Sequence, residues 1–296
     1  MSTVLLTGST GFIGSSLINY LETNSPSSLH DILVLSSVEH PKLKTVLYDV
    51  NSLVIPELID ASTIIHLGAF TPKNNSEANH IKKCTSNIIF TQNLLNNLPK
   101  SIEKFVFIST LDVYESNNEI INEYSKVTPV SIYAWSKVYC ERIVIEWCKK
   151  WNVSCKILRL GHIYGSGEDA YKKLIPETIK KIIQDIPPVI FTDGNEKRSF
   201  LHVNDCVRCI WEAFTVESDD LLINIVSGNS FSVKQLVQML VEISGKSLFP
   251  QIQGNNIETK DYFFDNTKMV EVFGPEQVEI LEGLSEEYDY FLNKAR

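Results

Sequence analysis

The sequence has no surplus of positive charge: 27 Lys and Arg stand against 36 Asp and Glu among 296 residues, a formal net charge of −9. That balance excludes a basic face gripping nucleic acid, although an anionic small molecule can still bind a local group of cations. No window approaches the roughly 20 apolar residues that a membrane helix needs, so no membrane partner is expected. Nor is there the basic start and long apolar stretch of a signal peptide, because Met1-Ser2-Thr3-Val4-Leu5-Leu6 runs straight into glycines. Cysteines are few. Cys84, Cys140, Cys148, Cys155, Cys206 and Cys209 lie mostly inside apolar or helical patterns, and the expectation is free thiols in a reducing cytoplasm. Cys206 and Cys209 form a CxxC, but no second Cys or His pair stands at zinc spacing, so no metal is expected. Internal repeats and low-complexity tracts are also missing. What is present, 44% hydrophobic residues in 296, suffices for one large or two modest domains with real cores.

Six short apolar runs read as buried strands: residues 4–6, 32–35, 45–48, 63–67, 105–109 and 155–160. Between them, residues 15–22, about 79–98 and 134–151 carry apolar side chains at three- and four-residue spacing, as helices packed on a sheet do. This alternation predicts repeated βαβ units, and right-handed crossovers turn them into a doubly wound parallel α/β sheet. The alternation stops after Gly165. A helix over 174–184 leads through Pro187-Pro188 to a strand over 189–191; a helix over 204–214 and a strand over 222–226 follow, then a helix N-capped by Ser232.

Thr7-Gly8-Ser9-Thr10-Gly11-Phe12-Ile13-Gly14 follows the first strand and opens the first helix. Glycines there allow a tight turn and close backbone approach to a pyrophosphate, which the free N–H groups of the helix start can hold. The pattern predicts dinucleotide binding. A carboxylate at the end of the second strand would select NAD by binding the ribose, yet residues 33–35 lead into Ser36-Ser37. The cofactor is therefore read as NAD(P), tipped slightly toward NADP(H). The GxxGxxG spacing, preceded by Thr, resembles the extended branch of the short-chain dehydrogenase/reductase superfamily. His66-Leu67-Gly68-Ala69 resembles that family's HLAA, and Asp49-Val50 its adenine-binding pair. The resemblance implies a Rossmann domain with cofactor contacts at Gly8, Thr10, Gly11, Phe12, Ile13, Ser36, Asp49, Val50, Leu67, Gly68 and Ala69, joined by Tyr133 and Lys137.

Tyr133-Ala134-Trp135-Ser136-Lys137 is a YxxxK. Eleven tyrosines and 22 lysines give about 0.8 such pairs by chance, and Tyr290/Lys294 is a second one, so the motif alone proves nothing. Its neighbourhood distinguishes Tyr133, which starts a long helix downstream of a strand ending Phe107-Ile108-Ser109-Thr110. Residues four apart share a helix face, and an ammonium one turn away favours the phenolate of a group whose reference pKa is about 10. Residues 105–114 resemble the extended family's FVFxSSxxVYG, with Glu115 at the final Gly, which implies a catalytic set of Thr110, Tyr133 and Lys137.

Downstream, Leu158-Arg159-Leu160-Gly161-His162-Ile163-Tyr164-Gly165 resembles LRLGNVYG, and residues 193–205 resemble the GDGxxxRDFxHVDD segment of nucleotide-sugar enzymes. The resemblance to the nucleotide-sugar epimerase/dehydratase family runs from Thr3 to about Leu292. It implies a nucleotide-diphosphate sugar as partner, with substrate contacts at Thr71, Thr110, Asp112, Tyr133, His162, Lys173 and Arg198. Ser199 departs from the usual Asp, and residues 246–268 hold no Arg for a second diphosphate contact, leaving Lys260 as a substitute. The implied organisation is a Rossmann domain over 1–165 plus about 201–226, interleaved with a smaller C-terminal α/β substrate domain over about 166–200 plus 227–296. The family also implies a homodimer through two long helices, about 79–98 and 134–151.

Sugar dehydratases of the family carry Asp-Glu after the catalytic Thr, whereas this chain has Leu111-Asp112 and so lacks the acid for removing water. Enzymes resembling GDP-fucose synthase place a Cys where Asp112 stands. A 4-ketoreductase of an NDP-4-keto-6-deoxy sugar is preferred, with a 4-epimerase retaining NAD as the alternative. A non-catalytic NADP(H)-binding redox sensor is the alternative of another class.

Overall fold

The structure is a computed structural model that describes residues 3–49, 54–58, 61–115, 119–218, 220–254 and 260–296. Seven strands form one parallel sheet: β1 (Val4–Thr7), β2 (Ile32–Ser36), β3 (Lys44–Leu47), β4 (Thr63–His66), β5 (Lys104–Thr110), β6 (Ser154–Leu160) and β7 (Leu222–Ile225). Their spatial order is β3-β2-β1-β4-β5-β6-β7, the doubly wound order whose direction reverses at β1. The six apolar runs read from the sequence are thus six neighbouring strands. Five of them are buried and read as continuous apolar runs because helices cover both faces, whereas β3, expected to be buried, is the half-exposed edge strand, with Leu47 49% exposed.

On one face lie α1 (Phe12–Asn24) and, far along the chain, α5 (Val203–Glu212) and α7 (Thr267–Phe273). Leu17, Leu21, Cys206, Cys209, Met269 and Phe273 bury themselves there against Val4, Leu6 and Val34. The CxxC cysteines are core side chains, and the described residues hold no cluster suited to a metal. The opposite face carries α2 (Ile81–Asn97) and α3 (Ile132–Trp151), whose Phe90, Leu94, Cys140 and Val144 pack on Leu5, Ile64 and Phe105. Helix α3 is well bounded: Ser131 Oγ accepts the Ala134 N–H at 3.1 Å, and Asn152 closes it in the left-handed conformation.

A second core joins α4 (Leu174–Ile183), α6 (Val233–Ser244) and α8 (Ile280–Ala295) through Ile175, Ile179, Leu236, Leu240, Leu284 and Tyr288. Short two-stranded pairs fasten it to the sheet; one sets Phe200–His202 beside His162–Tyr164. No helix among the described residues is long and apolar enough to cross a membrane.

Beneath the carboxyl ends of β5 and β6 a polar network is sealed in the core. Arg159 on β6 donates from Nε and Nη2 to the two oxygens of Glu141 on α3, at 2.9 and 2.6 Å, and from Nη1 to the Tyr114 hydroxyl at 2.6 Å. Ser109 donates to Glu141 at 2.5 Å, and the Tyr114 hydroxyl reaches Asn224 on β7. Truncating one partner of such a pair leaves the other charge buried and alone. Glu141→Ala is expected to lower unfolding free energy in urea by about 3–5 kcal/mol; a loss below about 1 kcal/mol would show that the network does not hold the sheet to α3.

Candidate active site

The chain end of β1 and the chain end of β4 flank the point where strand order reverses, the crevice in which such sheets bind ligands. Two glycines shape the turn there. Gly8 has φ +77°, and a Cβ on Gly14 would collide with the Gly8 carbonyl, so helix and strand meet at a distance that only glycine allows. Helix α1 starts at Gly11 without a side-chain cap, leaving its first N–H groups directed at the crevice. Ser9 Oγ is buried there without a hydrogen-bond partner.

Across the crevice a relay fixes the other wall. The Gly68 N–H donates to Thr7 Oγ1 at 2.8 Å, Thr7 meets His66 Nδ1 at 2.7 Å, and His66 Nε2 meets Thr91 on α2 at 3.0 Å. Burial, with the nearby Lys137, pushes His66 down to about 3, so its ring is neutral and serves as a spacer. Asn87 on α2 accepts the Phe70 N–H at 2.7 Å and donates to the Phe70 carbonyl at 3.1 Å, and it also bonds Ser136. It holds the chain that delivers Thr71. The sequence reading passed over Asn87, Thr91 and Ser136; their only signal is polar residues on the inward faces of two apolar helices.

Thr110, Tyr133 and Lys137 come together at the centre, all buried. The Thr110 hydroxyl oxygen accepts the Asp112 N–H at 3.2 Å, which leaves its proton free to donate. Burial pushes the Tyr133 phenol above the ordinary tyrosine value and the Asp112 carboxyl adds to the rise, while the Thr71 and Thr110 hydroxyls pull the other way. Burial lowers the Lys137 ammonium, whose nitrogen lies 4.4 Å from the centre of the Phe107 ring. Asp112 is open to the cleft, yet the cleft walls crowd out enough water to raise its carboxyl, against the pull of Lys173 and Thr110.

One cleft of about 1660 Å3 runs past Thr110, Asp112, Tyr133 and Lys137. Its first half is lined by Gly8, Thr10, Gly11, Phe12, Ile13, Ser36, Leu67, Gly68 and Ala69, and its second by Thr71, Asp112, His162, Lys173 and Arg198. Burial and the cations of Lys173 and Arg198 push His162 down to about 4, and its Nδ1 is buried without a partner. Arg198 is held by the Lys197 and Lys260 carbonyls at 2.8 and 2.7 Å. Two expected residues fall elsewhere and a third is not among those described. Asp49 pairs with Val54 away from the cleft lining, Val50 lies outside the described residues, and Lys260 forms an ion pair with Glu115 at 3.0 Å instead of entering the cleft. The family's usual Gly at 115 could offer no such partner.

This is the geometry of a dinucleotide-dependent enzyme with a Thr, Tyr and Lys centre. Residues 4–225 match the NAD dependent epimerase/dehydratase family, and the chain belongs to it. A protein of Methanocaldococcus jannaschii named for UDP-glucose 4-epimerase is 25% identical over 99% of both chains. The Escherichia coli dTDP-4-dehydro-6-deoxyglucose reductase is 28% identical over 80% of each. A crystal structure of a Bacillus cereus UDP-glucuronic acid 4-epimerase variant, with NAD and UDP-4-deoxy-4-fluoroglucuronic acid, superposes with a TM-score of 0.84 at 25% identity, covering 99% of this chain and 100% of that one. The chain spans about half of a trifunctional Arabidopsis thaliana enzyme that it also matches, 47% of its length.

Gly14→Ala forces the Gly8 carbonyl aside and is expected to weaken NAD(H) binding more than about tenfold in titration calorimetry. Affinity equal to that of the unaltered chain would mean that the turn does not hold the dinucleotide.

Proposed function

We propose that the chain is an NAD(P)-dependent oxidoreductase of a nucleotide-diphosphate sugar, and specifically a 4-ketoreductase of an NDP-4-keto-6-deoxy sugar. The observation that carries this reading is the single cleft, in which Thr110, Tyr133 and Lys137 lie between the glycine turn and the cations Lys173 and Arg198. Gly8, the bare start of α1, Ser9 and Gly68 fit a dinucleotide, which supplies the hydride when bound. The chain itself moves the proton. In the reductive direction Tyr133, kept protonated by burial, donates to the C4 oxygen, Thr110 donates a hydrogen bond to the same oxygen, and Lys137 stabilises the phenolate left behind. Lys173 and Arg198 bind the diphosphate, and Asp112, His162 and Thr71 contact the sugar.

Two residues support a ketoreductase. Leu111 is buried and apolar where a dehydratase needs an acid. Ser36 ends β2 without a carboxylate, so nothing there repels a 2′-phosphate, and exchangeable NADPH suits a net reduction. Likeness along nearly the whole chain to proteins named as 4-epimerases favours a second reading, reversible oxidation at C4 with retained NAD. A ketoreductase consumes one NADPH per 4-keto-6-deoxy sugar, and an epimerase interconverts UDP-glucose and UDP-galactose without added cofactor. Tyr133→Phe is expected to lower either turnover at least about a thousandfold, the size of a well-placed acid/base contribution. A variant retaining more than about a tenth of the rate would remove Tyr133 from the chemistry.

The reading includes a homodimer in the cytoplasm. Helices α2 and α3 pack side by side and leave Ile81, Trp135 and Tyr139 exposed, apolar groups of the kind that an interface covers. Light scattering at micromolar concentration is expected to give twice the 33.5 kDa chain mass, and Trp135→Glu with Tyr139→Glu should give the monomer. A monomeric unaltered chain would end this part of the proposal.

A further inference from the structure

Between the strand His162–Tyr164 and helix α4 the chain crosses from one half of the molecule to the other as a strap, residues 165–173. It begins at Gly165 with φ +137°, where a Cβ would press on Val203 and His202. It ends by delivering Tyr171 and Lys173 to the cleft. Its outer contacts are ordinary: the Lys172 N–H donates to the Lys73 carbonyl at 3.1 Å, and the Tyr171 ring meets Phe12 edge-on at 6.3 Å. Asp169 accepts from Tyr290 at 2.8 Å and from Lys294 at 2.7 Å, both on α8.

The next residue inward is not ordinary. Glu168 is 1% exposed and faces Glu287 of α8, which is 0% exposed. Neither oxygen of Glu287 makes a well-aligned hydrogen bond; the groups within its reach are the Glu168 carboxyl and the Gly165 N–H. The charged and titratable groups facing the pair from the packed elements are Tyr164, Tyr171, Lys173 and Lys180. Of these, Lys173 comes to 3.9 Å of Glu168 Oε2. Two buried carboxylates with one ammonium in contact are disfavoured as a doubly ionised pair, because an oxygen facing an oxygen repels unless a proton lies between them. Glu168 has the lysine, so the proton belongs to Glu287.

We propose that Glu287, as a neutral acid, donates its proton into the Glu168 carboxylate, and that this buried pair positions Tyr171 and Lys173 in the cleft. Glu287 and Glu168 are then positioning residues, and the pair leaves Lys173 next to a single negative charge. The role in binding rests on the nucleotide-sugar reading; the role in holding the strap does not. Burial raises both carboxyls, Glu168 to about 7 and Glu287 well above the usual carboxyl value. Folding therefore favours the protonated pair. The stability it contributes is fully present below the unfolded carboxyl value, about 4.3, and is lost as pH rises through the folded ones. Removal of the last proton in alkali sets two buried charges against each other and loosens the strap.

The test uses the full chain with Glu287→Gln and Glu287→Ala, amide hydrogen exchange of residues 165–173, and titration calorimetry with UDP-glucose between pH 6 and pH 9.5. A glutamine amide donates to Glu168 at every pH. Glu287→Gln is expected to match the unaltered chain at pH 7 and, unlike it, to keep slow strap exchange and full UDP-glucose affinity at pH 9.5. Glu287→Ala should exchange at least about tenfold faster in the strap and bind UDP-glucose about tenfold more weakly at pH 7. Strap exchange that is the same in the alanine variant and the unaltered chain overturns the proposal. So does an identical alkaline loosening in the glutamine variant. Failure of every form to bind UDP-glucose counts against the nucleotide-sugar reading, and the exchange measurements then decide the strap alone.

Discussion

The site depends on one buried ion pair, Arg159 with Glu141. Its members belong to β6 and α3, and its attached hydrogen bonds reach Ser109 at the end of β5, Tyr114 after it and Asn224 on β7. Glu141 lies one helical turn after Lys137, and Ser109 immediately precedes Thr110. A shift of α3 by one residue against the sheet would break the bidentate contact and, with it, separate Tyr133 and Lys137 from Thr110. A buried pair of this kind adds little net stability compared with apolar packing, but it penalises every wrong register, because each one leaves an unpaired charge in the core. The register that brings Tyr133, Lys137 and Thr110 together is held by an interaction that does not touch the cleft.

Around that frame the charges are sorted by depth. The chain carries a net −9, yet Lys137, Lys173 and Arg198 all line one cleft. Desolvation keeps the deepest groups neutral or nearly so: His66 and His162 are unprotonated imidazoles, and the Tyr133 phenol retains its proton. Under the proposed function, the cations of the cleft's second half attract the diphosphate of the ligand. Global charge speaks to polyanions and solubility, and it is silent about a site built from three cations.

Most of the fold was legible because its elements are local. Six apolar runs without alternation, separated by helices at three- and four-residue spacing, leave few topologies once crossovers are right-handed. The glycine turn was legible for the same reason, since a positive φ at Gly8 and the close contact of Gly14 are properties of a short segment. The illegible parts are pairings across long sequence separations. Nothing local in the sequence ties Lys260 to Glu115, Asn87 to the Phe70 backbone, or Glu168 to Glu287. Met269 and Phe273 of α7, which the sequence puts with the smaller half, pack into the core beneath α1 and α5. A polar residue on the inward face of an apolar helix is a visible anomaly, but its partner is fixed only by the packing of elements far apart in the chain.

The two YxxxK pairs separate what a motif says from what its surroundings make of it. Tyr290 and Lys294 share a helix face as Tyr133 and Lys137 do, so the local geometry is the same. At the surface, Asp169 accepts from both, the lysine donates to the tyrosine at 3.1 Å, and the hydrogen bond to Asp169 raises the Lys294 ammonium. Both groups are satisfied by hydrogen bonds. Tyr133 and Lys137 are 6% and 4% exposed, and desolvation favours the neutral form of each, pushing the phenol upward and the ammonium downward. The same five-residue pattern is a surface brace in one place and a buried pair on the cleft wall in the other, and burial decides between them.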